Sequence, residues 1–233
     1  MRDDTPARLP LARPRGGWYS VHGMDTSTLE LRFRIGSIPV VVEPWFWLSG
    51  LMLNMSSLQG PRIVLWLLVF FVSVLVHELG HALATLAFGA RASIRLHSFG
   101  GITAPSRNLS RWRNVAMTLA GPGAGFALGI LAMVTLQIVP ILPPLASWTL
   151  NQLMYANFFW GAMNLLPIPP LDGGHVLLNV LGRRHERTAR VIAVAVAGLV
   201  VLYGLSSGQF FLTVMFGLLA FQNVQTLRAM SSH

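Results

Sequence analysis

Residues 77–81 read HELGH, so two imidazoles and a carboxylate fall within five positions. On a helix, residues four apart lie about 40° apart around the axis, and both rings face one way. Their nitrogens can hold a single metal ion, and Glu78 beside them can handle a proton. His-Glu-x-x-His is the pattern in which zinc polarises water while glutamate acts as general base. A second group stands at residues 164–175, NLLPIPPLDGGH. Its prolines break the backbone ladder just ahead of Asp172, and freed carbonyls need partners. Ligation by His77, His81 and Asp172 would leave zinc one open position, the catalytic rather than the structural arrangement. His175, three residues after Asp172, shares its helix face and suits an outer hydrogen bond or a transition-state contact; plain packing is the equal alternative.

The elements that carry these groups are apolar. The first motif is embedded in residues 63–88, IVLWLLVFFVSVLVHELGHALATLAF, a run of membrane-spanning length. Titratable groups inside such a helix are costly unless they work or pair. The whole chain fits that setting: 53% of its 233 residues are hydrophobic and only 11% charged, with mean hydropathy +0.58. This is the composition of a polytopic membrane protein. The net charge is +9 and every one of the 17 basic residues is arginine. In a membrane protein that balance serves topology and an anionic lipid surface, and no basic patch interleaved with aromatics points to nucleic acid. With no cysteine, disulfides and thiolate metal sites are excluded. Of the eight acids only Glu78 and Asp172 lie in apolar segments.

The expected fold is an all-α polytopic membrane protein of six transmembrane helices. It has a short N-terminal strand and a re-entrant hairpin or small sheet after the second helix. Residues 1–29 read as a disordered basic cytoplasmic tail, residues 30–228 as one membrane domain, and 229–233 as a C-terminal tail. The spans fall at about 44–59, 63–88, 112–139, 148–181 with a break at 167–170, 189–205 and 209–227. Residues 90–111 are too polar to span, and alternation through Ile94, Leu96 and Ser98 before Gly100-Gly101 predicts the hairpin. Arginine-rich and arginine-poor connections alternate, which sets both termini on the cytoplasmic side. His81 to Arg91 is about 15 Å of helix and Asp172 to Arg183 about 16 Å, so the two motifs lie at one depth in the cytoplasmic half.

The two linked motifs, HELGH at 77–81 and N-x-x-P-x-P-x-L-D-G at 164–173, resemble the site-2 protease family of intramembrane zinc metalloproteases. The resemblance covers roughly residues 30–227. It is nearest to compact bacterial-type members, without a PDZ or CBS domain. It implies one zinc ion on His77, His81 and Asp172, Glu78 as base, and Asn164 orienting substrate or stabilising the oxyanion. It also supports a substrate-binding role for Gly100 and Gly101, next to an edge strand in 93–103 suited to strand addition. Relatives often carry Asn or Ser where Gly125 stands. Gly121 and Gly125 instead form a small-residue face for close helix packing.

The implied activity is hydrolysis of a peptide bond within or near a transmembrane segment of a membrane protein. Such cleavage releases a transcriptional regulator or clears signal-peptide remnants. The implied location is the cell inner (plasma) membrane, with a transmembrane protein as substrate and the lipid bilayer as surroundings. The sequence leaves open a homo-oligomer or a regulatory membrane partner. Two other classes compete: a metal-ion transporter or sensor, and an inactive scaffold that binds membrane helices. A transporter would string its polar groups across the full depth, and a scaffold would not need Glu78.

Overall fold

The computed structural model describes residues 29–53, 59–98 and 100–231. Residues 1–28 of the expected basic tail and 232–233 of the expected C-terminal tail lie outside them. Two strands, β1 (Leu31–Ile35) and β2 (Ile38–Val42), form a hairpin. Helix α1 (Pro44–Met52) leads toward α2 (Arg62–Ala87). Strands β3 (Ala92–His97) and β4 (Gly100–Pro105) follow as the predicted hairpin. The rest is helical: α3 (Arg111–Ile138), α4 (Pro144–Asn164), α5 (Asp172–Leu181), α6 (Glu186–Ser206) and α7 (Phe210–Ser231).

The strands make one sheet in the order β1-β2-β3-β4. Its central pair is parallel, with Val40 opposite Ile94 and Val42 opposite Leu96. The chain therefore leaves the sheet at Val42, runs through α1 and α2, and re-enters at Ala92 in the same direction. Alternation in β2 and β3 turns Ile38, Val40, Val42, Ile94 and Leu96 onto one buried face. That face packs with Phe46 of α1 and with Phe70 and Val74 of α2. Phe46 and Phe70 stack with ring centroids 4.7 Å apart. Burying each such side chain contributes about 1.5–3 kcal/mol, so the sheet is anchored to the helix that carries the histidines.

Helix α2 ends in a glycine turn that delivers the chain into β3. Gly89 adopts φ +73°, a left-handed conformation open to glycine without penalty. Its N–H donates to the Leu86 carbonyl, and the Ala90 N–H reaches back to Thr85. Two of the orphan carbonyls of the last turn are thereby satisfied.

Among the described residues four helices, α2, α3, α6 and α7, are long and apolar enough to cross a membrane by length and composition. The described residues differ from the expected six spans at two places. The span set at 44–59 gives a helix of only nine residues, about 13 Å long against a hydrocarbon core of about 30 Å; residues 54–58 lie outside the described ones. The span set at 148–181 divides into α4, of 21 residues, and α5, of ten. The break is wider than 167–170: residues 165–171 are non-helical. Pro167, Pro169 and Pro170 account for it, because each lacks a donor and disfavours helix in the residue before it. Helix α4 has spanning length but carries Asn151, Gln152, Asn157 and Asn164.

Candidate metal centre

His77, Glu78 and His81 are 6%, 4% and 6% exposed in the middle of the packed bundle. Helical spacing turns both imidazoles toward α5, where Asp172 opens the helix after the proline turn. His77 Nε2 and His81 Nε2 are 3.2 Å apart. Asp172 Oδ2 lies 3.0 Å from His77 Nε2 and 3.4 Å from His81 Nε2.

The protonation of His81 follows from its other nitrogen. Nδ1 sits 2.8 Å from the Met117 carbonyl of α3. A carbonyl only accepts, so Nδ1 carries the hydrogen and, in the neutral ring, Nε2 presents a lone pair. Asp172 Oδ2 is buried and has no hydrogen-bond partner. The His81 lone pair and the Asp172 carboxylate thus face one point beside His77 Nε2, an arrangement that a bound cation would stabilise. Bonds of about 2.0–2.1 Å at a tetrahedral zinc separate its donors by about 3.3 Å, and the three separations here bracket that value. The donor set of two imidazoles and a carboxylate fits zinc.

Glu78 competes for the same place. His77, Glu78 and His81 each offer a ligand atom within 4.8 Å of the others. The shorter approach of Asp172 and the other bonds of Glu78 favour Asp172 as third donor. Thr103 of β4 donates its hydroxyl to Glu78 Oε2 at 2.7 Å. Strand β4 also presses directly on this carboxylate: a Cβ on Gly101 would lie 2.4 Å from Glu78 Cγ. Helix α3 closes the opposite side, where a Cβ on Gly121 would lie 2.2 Å from His81 Nε2. Gly121 therefore serves close approach, as its spacing from Gly125 suggested, and Gly125 instead faces Asn157 of α4. Asn157 in turn donates to Ser73 of α2 at 2.9 Å.

A cavity of about 490 Å³ opens onto the centre. All eight residues singled out in the sequence line it: His77, Glu78, His81, Gly100, Gly101, Asn164, Asp172 and His175. Gly100 and Gly101 open β4, Asn164 ends α4, and His175 follows Asp172 in the first turn of α5. Thr103 and the Met117 carbonyl were not foreseen. A threonine in a strand gives no sign that it faces a carboxylate 25 residues away, and a backbone carbonyl has no residue type at all.

Two imidazoles and a carboxylate around one point, with a second carboxylate alongside in a membrane-type bundle, form a group that could hold a metal ion. The chain belongs to peptidase family M50, whose model matches residues 65–147 and 141–205, together more than half of the sequence. A candidate zinc metalloprotease of Synechocystis sp. is 32% identical over 222 residues, covering 82% of this chain and 58% of that protein. A zinc metalloprotease of Methanocaldococcus jannaschii is 29% identical over 188 residues, covering 75% of this chain and 53% of that protein. The chain thus spans between half and three-fifths of the length of these curated relatives. Among solved structures, the site-2 protease from Methanocaldococcus jannaschii is similar, with TM-score 0.61 and 25% identity. That match covers 85% of this chain and 95% of the other.

Proposed function

We propose that this chain is an intramembrane zinc metalloprotease that hydrolyses a peptide bond within or near a transmembrane segment of another membrane protein. The observation that carries the reading is the convergence of His77, His81 and Asp172 at separations of 3.0–3.4 Å, with Glu78 beside them. His77, His81 and Asp172 hold the metal. When bound, zinc supplies a Lewis acid that polarises water and the scissile carbonyl.

Glu78 takes the proton of the attacking water and later delivers it to the leaving amine. The Thr103 hydroxyl fixes one carboxylate oxygen and leaves the other as proton acceptor. Asn164, at the cavity wall, offers its amide to the oxyanion as charge develops. His175 lies further along the same wall and contacts bound substrate.

A helical substrate hides its amides and must unwind to reach this cavity. Strand β4, the edge strand beside Glu78, receives the unwound segment by strand addition, with open space at Gly100, while Gly101 lets the strand lie against Glu78. Substrates with Gly, Pro or Asn near the cut unwind more easily and are preferred. The domain comprises residues 30–228 in the inner membrane, with both termini and the centre toward the cytoplasm, in line with the arginine alternation.

The test is cleavage of a tagged single-span reporter by the purified full chain. Glu78→Gln should retain zinc and lose at least about 10²-fold in rate, and a chelator should abolish cleavage reversibly. Unchanged cleavage by Glu78→Gln would overturn the mechanism. The cysteine-free sequence allows single-cysteine labelling from either side to check the topology.

A further inference from the structure

We infer that Asn223 of α7, oriented by Arg190 of α6, is a positioning residue that holds Asp172 in the metal centre. This rests on the reading of Asp172 as a metal ligand. Asp172 stands at the end of a turn that cannot anchor itself. Pro169 and Pro170 have no backbone N–H, so that stretch can be fixed only through its carbonyls. The turn's own bonds, Ile168 N–H to Leu166 and Leu171 N–H to Ile168, leave the Pro169 carbonyl to an outside donor.

Asn223 is that donor. It is 1% exposed, and its Nδ2 donates to the Pro169 carbonyl at 2.7 Å and to the Leu219 carbonyl at 2.8 Å. Its Oδ1 accepts from Arg190 Nη1 at 2.9 Å. The amide orientation is unambiguous: arginine only donates and a carbonyl only accepts. Arg190 is steadied in turn by Glu186, 3.4 Å from Nη2. Every hydrogen-bonding position of the Asn223 amide hydrogens is used, and the link spans 54 residues of sequence.

Ile168 packs the turn against α6 and α7, but beside the prolines that packing is incomplete. A cavity of about 220 Å³ lies where Pro169, Pro170, His175, Arg190 and Asn223 meet. With the tether removed, the turn has space to shift at its prolines. Outer partners that orient metal ligands are worth about 10–100-fold in affinity.

The experiment uses the purified full chain and measures zinc affinity by chelator competition, together with the visible bands of the cobalt-substituted protein. Asn223→Asp keeps the partner of Arg190 but faces the Pro169 carbonyl with a second acceptor. It should lose about 10–100-fold in zinc affinity and alter the cobalt bands. Arg190→Met, which keeps the amide but frees its orientation, should change both in the same direction and by less. Val201→Ala, in the far half of the same helix pair, should lower stability and leave both unchanged. Wild-type affinity and bands in both Asn223→Asp and Arg190→Met, with both altered in Asp172→Ala, would overturn the tether. Unaltered metal binding in Asp172→Ala would instead remove the ligand reading beneath it.

Discussion

The centre is assembled from two regions built on opposite principles. His77, Glu78 and His81 come from one uninterrupted helix of 26 residues, and their mutual geometry is a consequence of 3.6 residues per turn. Asp172 comes from a turn with little regular structure, set between α4 and α5. Helix α2 holds its groups through internal hydrogen bonds that any apolar sequence would make in lipid. The turn holds its group through contacts with other helices: Ile168 packs with Ala193, Ala197, Leu212 and Phe216 of α6 and α7. The spacing of the helical half is therefore set within α2 itself, although Gly121 and Gly101 must stay small beside His81 and Glu78. The irregular half depends on its neighbours.

That contrast can be broken or sharpened experimentally. The largest effect is expected in the helical half. His81→Ala removes a donor outright and should abolish both zinc binding and cleavage, as read by metal analysis and the reporter assay. Next, Gly174→Ala tests the turn. A Cβ there would lie 2.1 Å from the Pro169 nitrogen, so the turn must shift, and zinc affinity should fall about 10–100-fold. A comparable alanine in the lipid-facing part of α2, such as Leu68→Ala, should leave affinity unchanged.

A paired comparison of buried residues follows. Ile168 is 0% and Val74 2% exposed. Ile168→Ala should cost about 2–5 kcal/mol and lower zinc affinity as well, measured by thermal unfolding and metal competition. Val74→Ala should lower stability alone. If both variants lose affinity alike, the two halves are not distinct in the way described.

The smallest effect concerns Thr103. Thr103→Val keeps the shape and loses the hydroxyl that reaches Glu78. A hydrogen bond to a charged group contributes about 1.5–3 kcal/mol, so kcat should fall about 10–100-fold with zinc affinity intact. Thr103→Ser should restore it.

The same contrast explains what was legible in the sequence. The spacing of His77 and His81 is itself three-dimensional information, because a helix converts it directly into a shared face. Asp172 could be singled out by the rarity of acids in oil and by the prolines before it. Its actual distance from the histidines depends on where α4 and α5 cross α2 and α3, and no local pattern encodes that. The sheet was half legible. Alternation marked β3, and Gly100-Gly101 the turn region, but the parallel pairing of β2 with β3 joins residues more than 50 apart. For the first span, Pro44-Trp45-Phe46-Trp47 gives a strong apolar start, and the described helix runs to Met52. Thr103, the Met117 carbonyl and Asn223 act through partners far away in sequence, and their residue types are common in any membrane bundle.

The parallel pairing of β2 with β3 has a temporal consequence. A chain threaded into the bilayer from its N-terminus exposes β1 and β2 first, yet β2 has no partner on its inner side until α1 and α2 have been inserted and β3 has emerged. Completion of the sheet thus reports that the histidine-bearing helix has been seated. A nascent chain stalled before residue 92 would carry its histidine pair without the strand that covers Glu78, leaving the candidate centre unfinished until translation has passed β4.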